Sequence, residues 1–96
     1  MASTNLPYYV YLLECADGTL YTGITTDVER RLSEHKNGIG SHYTRSRGAK
    51  KMLHIERYMS RSEASRREAE IKNLSRIKKL KLAAMPSNRA KGWTRL

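Results

Sequence analysis

Residues 8–15 read YYVYLLEC, and after the turn signal Ala16-Asp17-Gly18 the chain continues Thr19-Leu20-Tyr21-Thr22-Gly23-Ile24. This pair of segments constrains the fold most. The first run is too short and too rich in aromatic and β-branched residues for a helix, and it lacks alternation. It therefore reads as a central strand buried on both faces. The second segment makes it a hairpin. A two-residue Asp-Gly loop would pair Ala16 with Thr19 and put Tyr11 and Tyr21 on opposite faces. A three-residue loop with Gly18 in the left-handed region pairs Cys15 with Thr19 instead. Tyr21 then lies opposite Leu13 and Gly23 opposite Tyr11, which makes Tyr11 and Tyr21 diagonal neighbours on one face. The second register is preferred.

Thr26-x-x-Glu29 has capping-box spacing, with Asp27 at the positive end of the helix dipole. The helix it opens is expected to run to about Asn37 and stop at Gly38. Val28, Arg31, Leu32 and His35 form one stripe on it, half apolar and half cationic. Residues 38–50, GIGSHYTRSRGAK, read as a basic loop, and a third strand is expected from about Lys51 to Tyr58. Ser60-x-x-Glu63 is a second capping box for a helix to about Asn73. Ser75 caps a shorter helix to about Ala84, before Pro86. The order β-β-α-β-α-α predicts an α/β (α+β) fold: a small three-stranded sheet, mainly antiparallel, with flanking helices. Residues 1–7 are expected to be a disordered leader, 8–84 one domain and 85–96 a polar tail.

The 96 residues suit one domain with a modest core. No run approaches the 18 apolar residues of a membrane span, and no signal peptide is visible. The single cysteine, Cys15, excludes an intrachain disulfide and a multi-cysteine zinc site. A reducing cytoplasm fits. Charge is uneven. Residues 1–28 contain no Lys or Arg and three acids, net −3, whereas residues 29–96 hold 19 basic residues and six acids, net +13. Such an excess on a small domain points to a polyanion, most commonly nucleic acid.

The sequence offers no Ser-His-Asp arrangement and no phosphate-binding glycine loop. His35, His42 and His54 lack metal-ligand spacing. What remains is two hairpin tyrosines, an Arg–His pair on one helix and a Glu on a basic helix. Together these resemble the GIY-YIG nuclease domain, in its small stand-alone bacterial form. The first family motif stands as Tyr9-Val10-Tyr11 and the second as Tyr21-Thr22-Gly23. The stretch from Gly23 to His35 resembles the strand-to-helix segment with its Arg and later His. Glu63-Ala64-Ser65-Arg66-Arg67-Glu68 resembles the segment holding the metal-binding Glu, at Glu68. The likeness covers roughly residues 8–82. It departs at Tyr9, where the family has Gly, and at Thr22, where it has Ile. Asn73 and Asn88 do not match the Asn that some members use.

The resemblance implies a metal-dependent phosphodiesterase. Glu68 would hold Mg²⁺ (or Mn²⁺), Tyr11 or Tyr21 would help to deprotonate water, Arg31 would stabilise the phosphate, and His35 would assist as a polar group or proton relay. One carboxylate suffices for Mg²⁺, whose other ligands are water and substrate oxygens. An Arg fork matches phosphate. A tyrosine with pKa about 10 is a poor base at neutral pH unless Arg31, the metal or another basic neighbour lowers it. Gly23 would leave space for a phosphate to reach the sheet.

Each residue also has a plainer structural role open to it. The tyrosines can be strand aromatics, Arg31 a snorkelling side chain, and Glu68 an ion-pair partner of Arg61 or Lys72. Cys15 reads as a core thiol and His54 as an ordinary strand residue. His42, Thr44, Arg45, Arg47, Lys50 and Lys51 on or beside the basic loop are candidate DNA-backbone contacts. So are Lys72, Arg76, Lys78, Lys79 and Lys81 on the helices. Nothing resembles a base-reading helix. The reading is therefore an endonuclease for DNA, or RNA, directed by structure or backbone, in repair or recombination. The alternative is a non-catalytic or partner-dependent nucleic-acid-binding module, since larger family members carry further DNA- or zinc-binding domains.

Overall fold

A computed structural model describes residues 7–39 and 46–84. Residues 1–6 of the leader, the tail with Asn88 and Trp93, and His42, Tyr43, Thr44 and Arg45 lie outside the described residues. Strand β1 spans Tyr8–Cys15, β2 Leu20–Thr25 and β3 Ala49–Tyr58; helix α1 spans Val28–Lys36, α2 Arg61–Lys72 and α3 Arg76–Ala83. The sheet order is β2-β1-β3, antiparallel throughout. β1 is thus the buried centre that its unbroken apolar run requires.

The hairpin adopts the three-residue turn. Cys15 N–H donates to Thr19 O at 2.8 Å, Gly18 N–H to Cys15 O at 2.9 Å, and Gly18 has φ +87°. Tyr11 pairs with Gly23 and Leu13 with Tyr21. Val10 and Leu12 bury one face of β1 against Ala64 and Ile71 of α2. Tyr11 and Leu13 bury the other against Val28 and Leu32 of α1. The sheet is therefore sandwiched between α1 and the α2–α3 pair.

Two boundaries differ from the sequence reading. Asp27, not Thr26, caps α1: its Oδ1 accepts the Arg30 N–H at 3.0 Å, while Thr25 Oγ1 takes the Asp27 N–H at 3.1 Å. Asp is at least as good a cap as Thr, so the helix starts one residue later. Strand β3 begins at Ala49 rather than Lys51, because β1 keeps pairing to Cys15 across a bulge. Ser60 and Ser75 cap α2 and α3 as expected, accepting the N–H of Glu63 at 3.1 Å and of Lys78 at 3.3 Å. No helix among the described residues is long and apolar enough to cross a membrane.

Candidate active site on the tyrosine hairpin

Cross-strand pairing places Tyr11 and Tyr21 on the α1 face, ring centroids 6.2 Å apart. The spacing of seven residues from Val28 to His35 brings His35 back over the same face, where it is 1 % exposed. Its ring stands edge-on to both tyrosines, 5.8 Å from Tyr11 and 5.3 Å from Tyr21. Burial, with Arg31 adding to it, lowers His35 from 6.5 to about 4, so it is neutral at physiological pH. Burial pushes the Tyr11 hydroxyl up to about 12, while the hydrogen bond from Arg31 pulls it down less. Tyr11 therefore keeps its proton, and its hydroxyl and His35 Nε2 share a hydrogen bond of 2.8 Å. The result is a chain from Arg31 through Tyr11 to His35, with charge only at the arginine end.

Tyr11 does not meet the condition set for a tyrosine base, and the expectation for Gly23 is corrected. Arg31 does not bring the Tyr11 pKa below its ordinary value, because desolvation of the phenolate outweighs the guanidinium. Nor does Gly23 hold an open path to the sheet. Its missing side chain is the space that the Tyr11 ring fills: a Cβ there would lie 2.5 Å from Tyr11 Cζ and closer still to the hydroxyl.

Glu68 projects from α2 near enough that its charge raises the Tyr11 pKa further. Its side chain is 20 % exposed and pairs with Lys72 Nζ at 3.3 Å, so the carboxylate and this candidate phosphate ligand are partners. Arg31 also pairs with Glu34 at 3.0 Å. The described residues contain no group of three or more His, Cys, Asp or Glu side chains able to cage a metal. One partly exposed carboxylate suits a cation such as Mg²⁺, which takes few protein ligands and relies on water and substrate oxygens. It does not suit a zinc centre.

Among the described residues, two of the other basic candidates have structural partners at the hairpin turn. Arg47 pairs with Asp17 at 3.4 Å, and Arg76 Nη1 donates to Gly18 O at 2.7 Å, so both brace the hairpin turn. Lys50, Lys51, Lys78 and Lys81 are exposed and Lys79 is half-buried.

The sequence reading missed a polar cluster on the α2 face of the sheet. His54 is not an ordinary strand residue: its Nε2–H donates to Glu56 at 2.9 Å. Glu56, 6 % exposed, also accepts from Tyr58 at 2.7 Å and from both Nε and Nη2 of Arg67, at 2.8 and 3.0 Å. Residues 54, 56 and 58 alternate onto one face, a period-two signal visible in the sequence. Arg67 immediately precedes Glu68, so this bidentate pair fixes the helix that presents the carboxylate.

The GIY-YIG catalytic domain model matches residues 7–81. The chain belongs to the GIY-YIG family. It is 57 % identical over 77 residues to a UPF0213 protein of Natronomonas pharaonis, covering 80 % of this chain and 91 % of that one. It is 53 % identical over 76 residues to a UPF0213 protein of Streptococcus agalactiae, covering 79 % and 86 %. The solution NMR structure of a UPF0213 protein from Bacillus halodurans superposes with a TM-score of 0.55 at 47 % identity, over 84 % of this chain and 86 % of that one. These relatives are small GIY-YIG chains like this one, and the domain is that of a nuclease family acting on nucleic acid.

Proposed function

We propose that the protein is a divalent-metal-dependent endonuclease that hydrolyses DNA phosphodiester bonds, directed by backbone or structure, with a role in repair or recombination. The observation that carries the reading is the Arg31–Tyr11–His35 chain beside Tyr21, with the Glu68 carboxylate near enough for its charge to act on Tyr11. Glu68 would hold Mg²⁺ or Mn²⁺; the bound cation would polarise the phosphate and stabilise charge on the leaving oxygen. Arg31 takes the phosphate in a charge-assisted fork. Tyr21, half-buried where Tyr11 is sealed, is the tyrosine open to an attacking water. Tyr11 and His35 are positioning residues: both neutral, they hold Tyr21 and Arg31 without adding a competing charge. The exposed cations supply backbone affinity.

One observation favours a binding module instead: Lys72 already neutralises Glu68. Plasmid, single-stranded and branched DNA incubated with Mg²⁺ or EDTA, beside Glu68→Ala, separates the two. The nuclease reading expects metal-dependent cleavage abolished by the substitution. Binding without cleavage of any substrate would favour the module.

A further inference from the structure

The end of β2 and the starts of β1, α1 and α2 line an open cavity of about 270 Å³, formed by Tyr8, Ile24, Thr25, Thr26, Arg30, Arg31 and Arg61. Three of the seven lining residues are arginines, contributed by two helices, and none is acidic. Arg31 forms a wall shared with the tyrosine site. Arg30 reaches Glu34 only at 3.9 Å and is 58 % exposed. Arg61, the first residue of α2, is exposed and has no ion-pair partner among the described residues. Thr25 Oγ1 is engaged by Asp27, and Thr26 beside it adds an exposed hydroxyl to the lining. Glu34, outside the lining, answers part of the charge of Arg30 and Arg31, but three cations against one acid leave an excess, and like charges gathered around a cleft raise its affinity for an anion. Guanidinium forks fit phosphate oxygens in particular. Tyr8 and Ile24 add an apolar wall, of the kind against which a nucleotide's sugar or base packs. The volume lies just below the roughly 300 Å³ at which small-molecule pockets begin, enough for a phosphate with part of its nucleoside.

We propose that this cavity is a second phosphate subsite, in which Arg61 and Arg30 hold a nucleic-acid phosphate beside the one at Arg31. The identity of the ligand as a nucleic-acid strand rests on the nuclease reading; the phosphate chemistry does not. The subsite would fix which bond of the strand reaches Tyr21 and Glu68. A strand phosphate comes from an internal diester or from a terminal monoester.

The test uses the wild-type chain and Arg61→Ala, with circular dichroism confirming that the substitution at this exposed position leaves the fold intact. In an amide NMR titration with inorganic phosphate, saturable shifts are expected at Thr25, Thr26 and Arg61, and they are lost in Arg61→Ala. Binding of a DNA duplex is expected to weaken about 5- to 10-fold in the variant at low salt. Equal weakening with 5′-phosphate and 5′-hydroxyl ends identifies an internal diester. A wild-type preference for the phosphorylated end that the variant loses identifies a terminal phosphate. Phosphate shifts that map elsewhere, or duplex affinity unchanged in Arg61→Ala, would overturn the subsite. Phosphate shifts in this cavity without DNA cleavage would overturn the nuclease reading alone.

Discussion

The buried hydrogen bond between Tyr11 and His35 ties stability to two side chains of the proposed site. Tyr11→Phe strands His35 Nε2 in a dry site and is expected to cost about 1–3 kcal/mol in denaturant unfolding. Gly23→Ala places a methyl against the Tyr11 ring, an overpacking expected to cost a similar ~1–3 kcal/mol and to lower the melting temperature. Because the folded pKa of His35, about 4, lies below its ordinary 6.5, the unfolded chain binds the proton first as pH falls. Its contribution is therefore complete above pH 6.5 and lost between 6.5 and 4, up to about 3 kcal/mol. NMR titration of the His35 ring checks the midpoint, and a value near 6.5 would show the ring to be solvated. Thr22 occupies the isoleucine place of the second motif, buried at 3 % exposure, and its hydroxyl has no hydrogen-bond partner among the described residues. Thr22→Val keeps the shape and removes the stranded hydroxyl, so it is expected to raise stability by about 1 kcal/mol.

At the level of elements, α1 brings Arg31 and His35 to the hairpin and α2 brings Glu68. The Glu56–Arg67 pair sets the rotation of α2. Burial pushes the Glu56 carboxyl up, but hydrogen bonds from His54, Arg67 and Tyr58 together hold it well below the ordinary carboxylate range. Its stabilisation is present above about pH 4.5 and fades as the pH falls further. Arg67→Ala leaves a buried, half-satisfied carboxylate and is expected to destabilise by about 3 kcal/mol or more. The paired Glu56→Met, Arg67→Leu change should recover much of that. Double-variant unfolding measures it. The hairpin, the caps at Ser60 and Ser75 and the His35 stripe were legible in the sequence because they are local: turn length fixes register, and helical spacing fixes a face. The Glu56 cluster and the Arg61 cavity were not. Each joins side chains from separate elements, and residues 54, 56 and 58 show their alternation without showing which helix supplies the cation. The raised Tyr11 pKa was not legible for a related reason: proximity to Arg31 was readable, but the depth of burial that outweighs it was not.

Across the whole molecule, the acidic first 28 residues supply the hairpin, and the basic remainder supplies the surface that brings a polyanion to it. Part of that charge is structural, as Arg47 and Arg76 at the turn and Arg67 beneath α2 demonstrate. The exposed remainder should make DNA affinity fall at least about tenfold between ~50 and ~200 mM salt, with little dependence on sequence. A flat salt response in a binding titration would contradict backbone recognition. Holding is thus proposed to lie with the basic surface and cutting with Glu68, and Glu68→Gln tests the division directly in one paired measurement of DNA affinity and single-turnover cleavage with Mg²⁺. The expected result is an affinity within about threefold of the wild type and a cleavage rate lowered by about a hundredfold or more. Cleavage at the wild-type rate would contradict it.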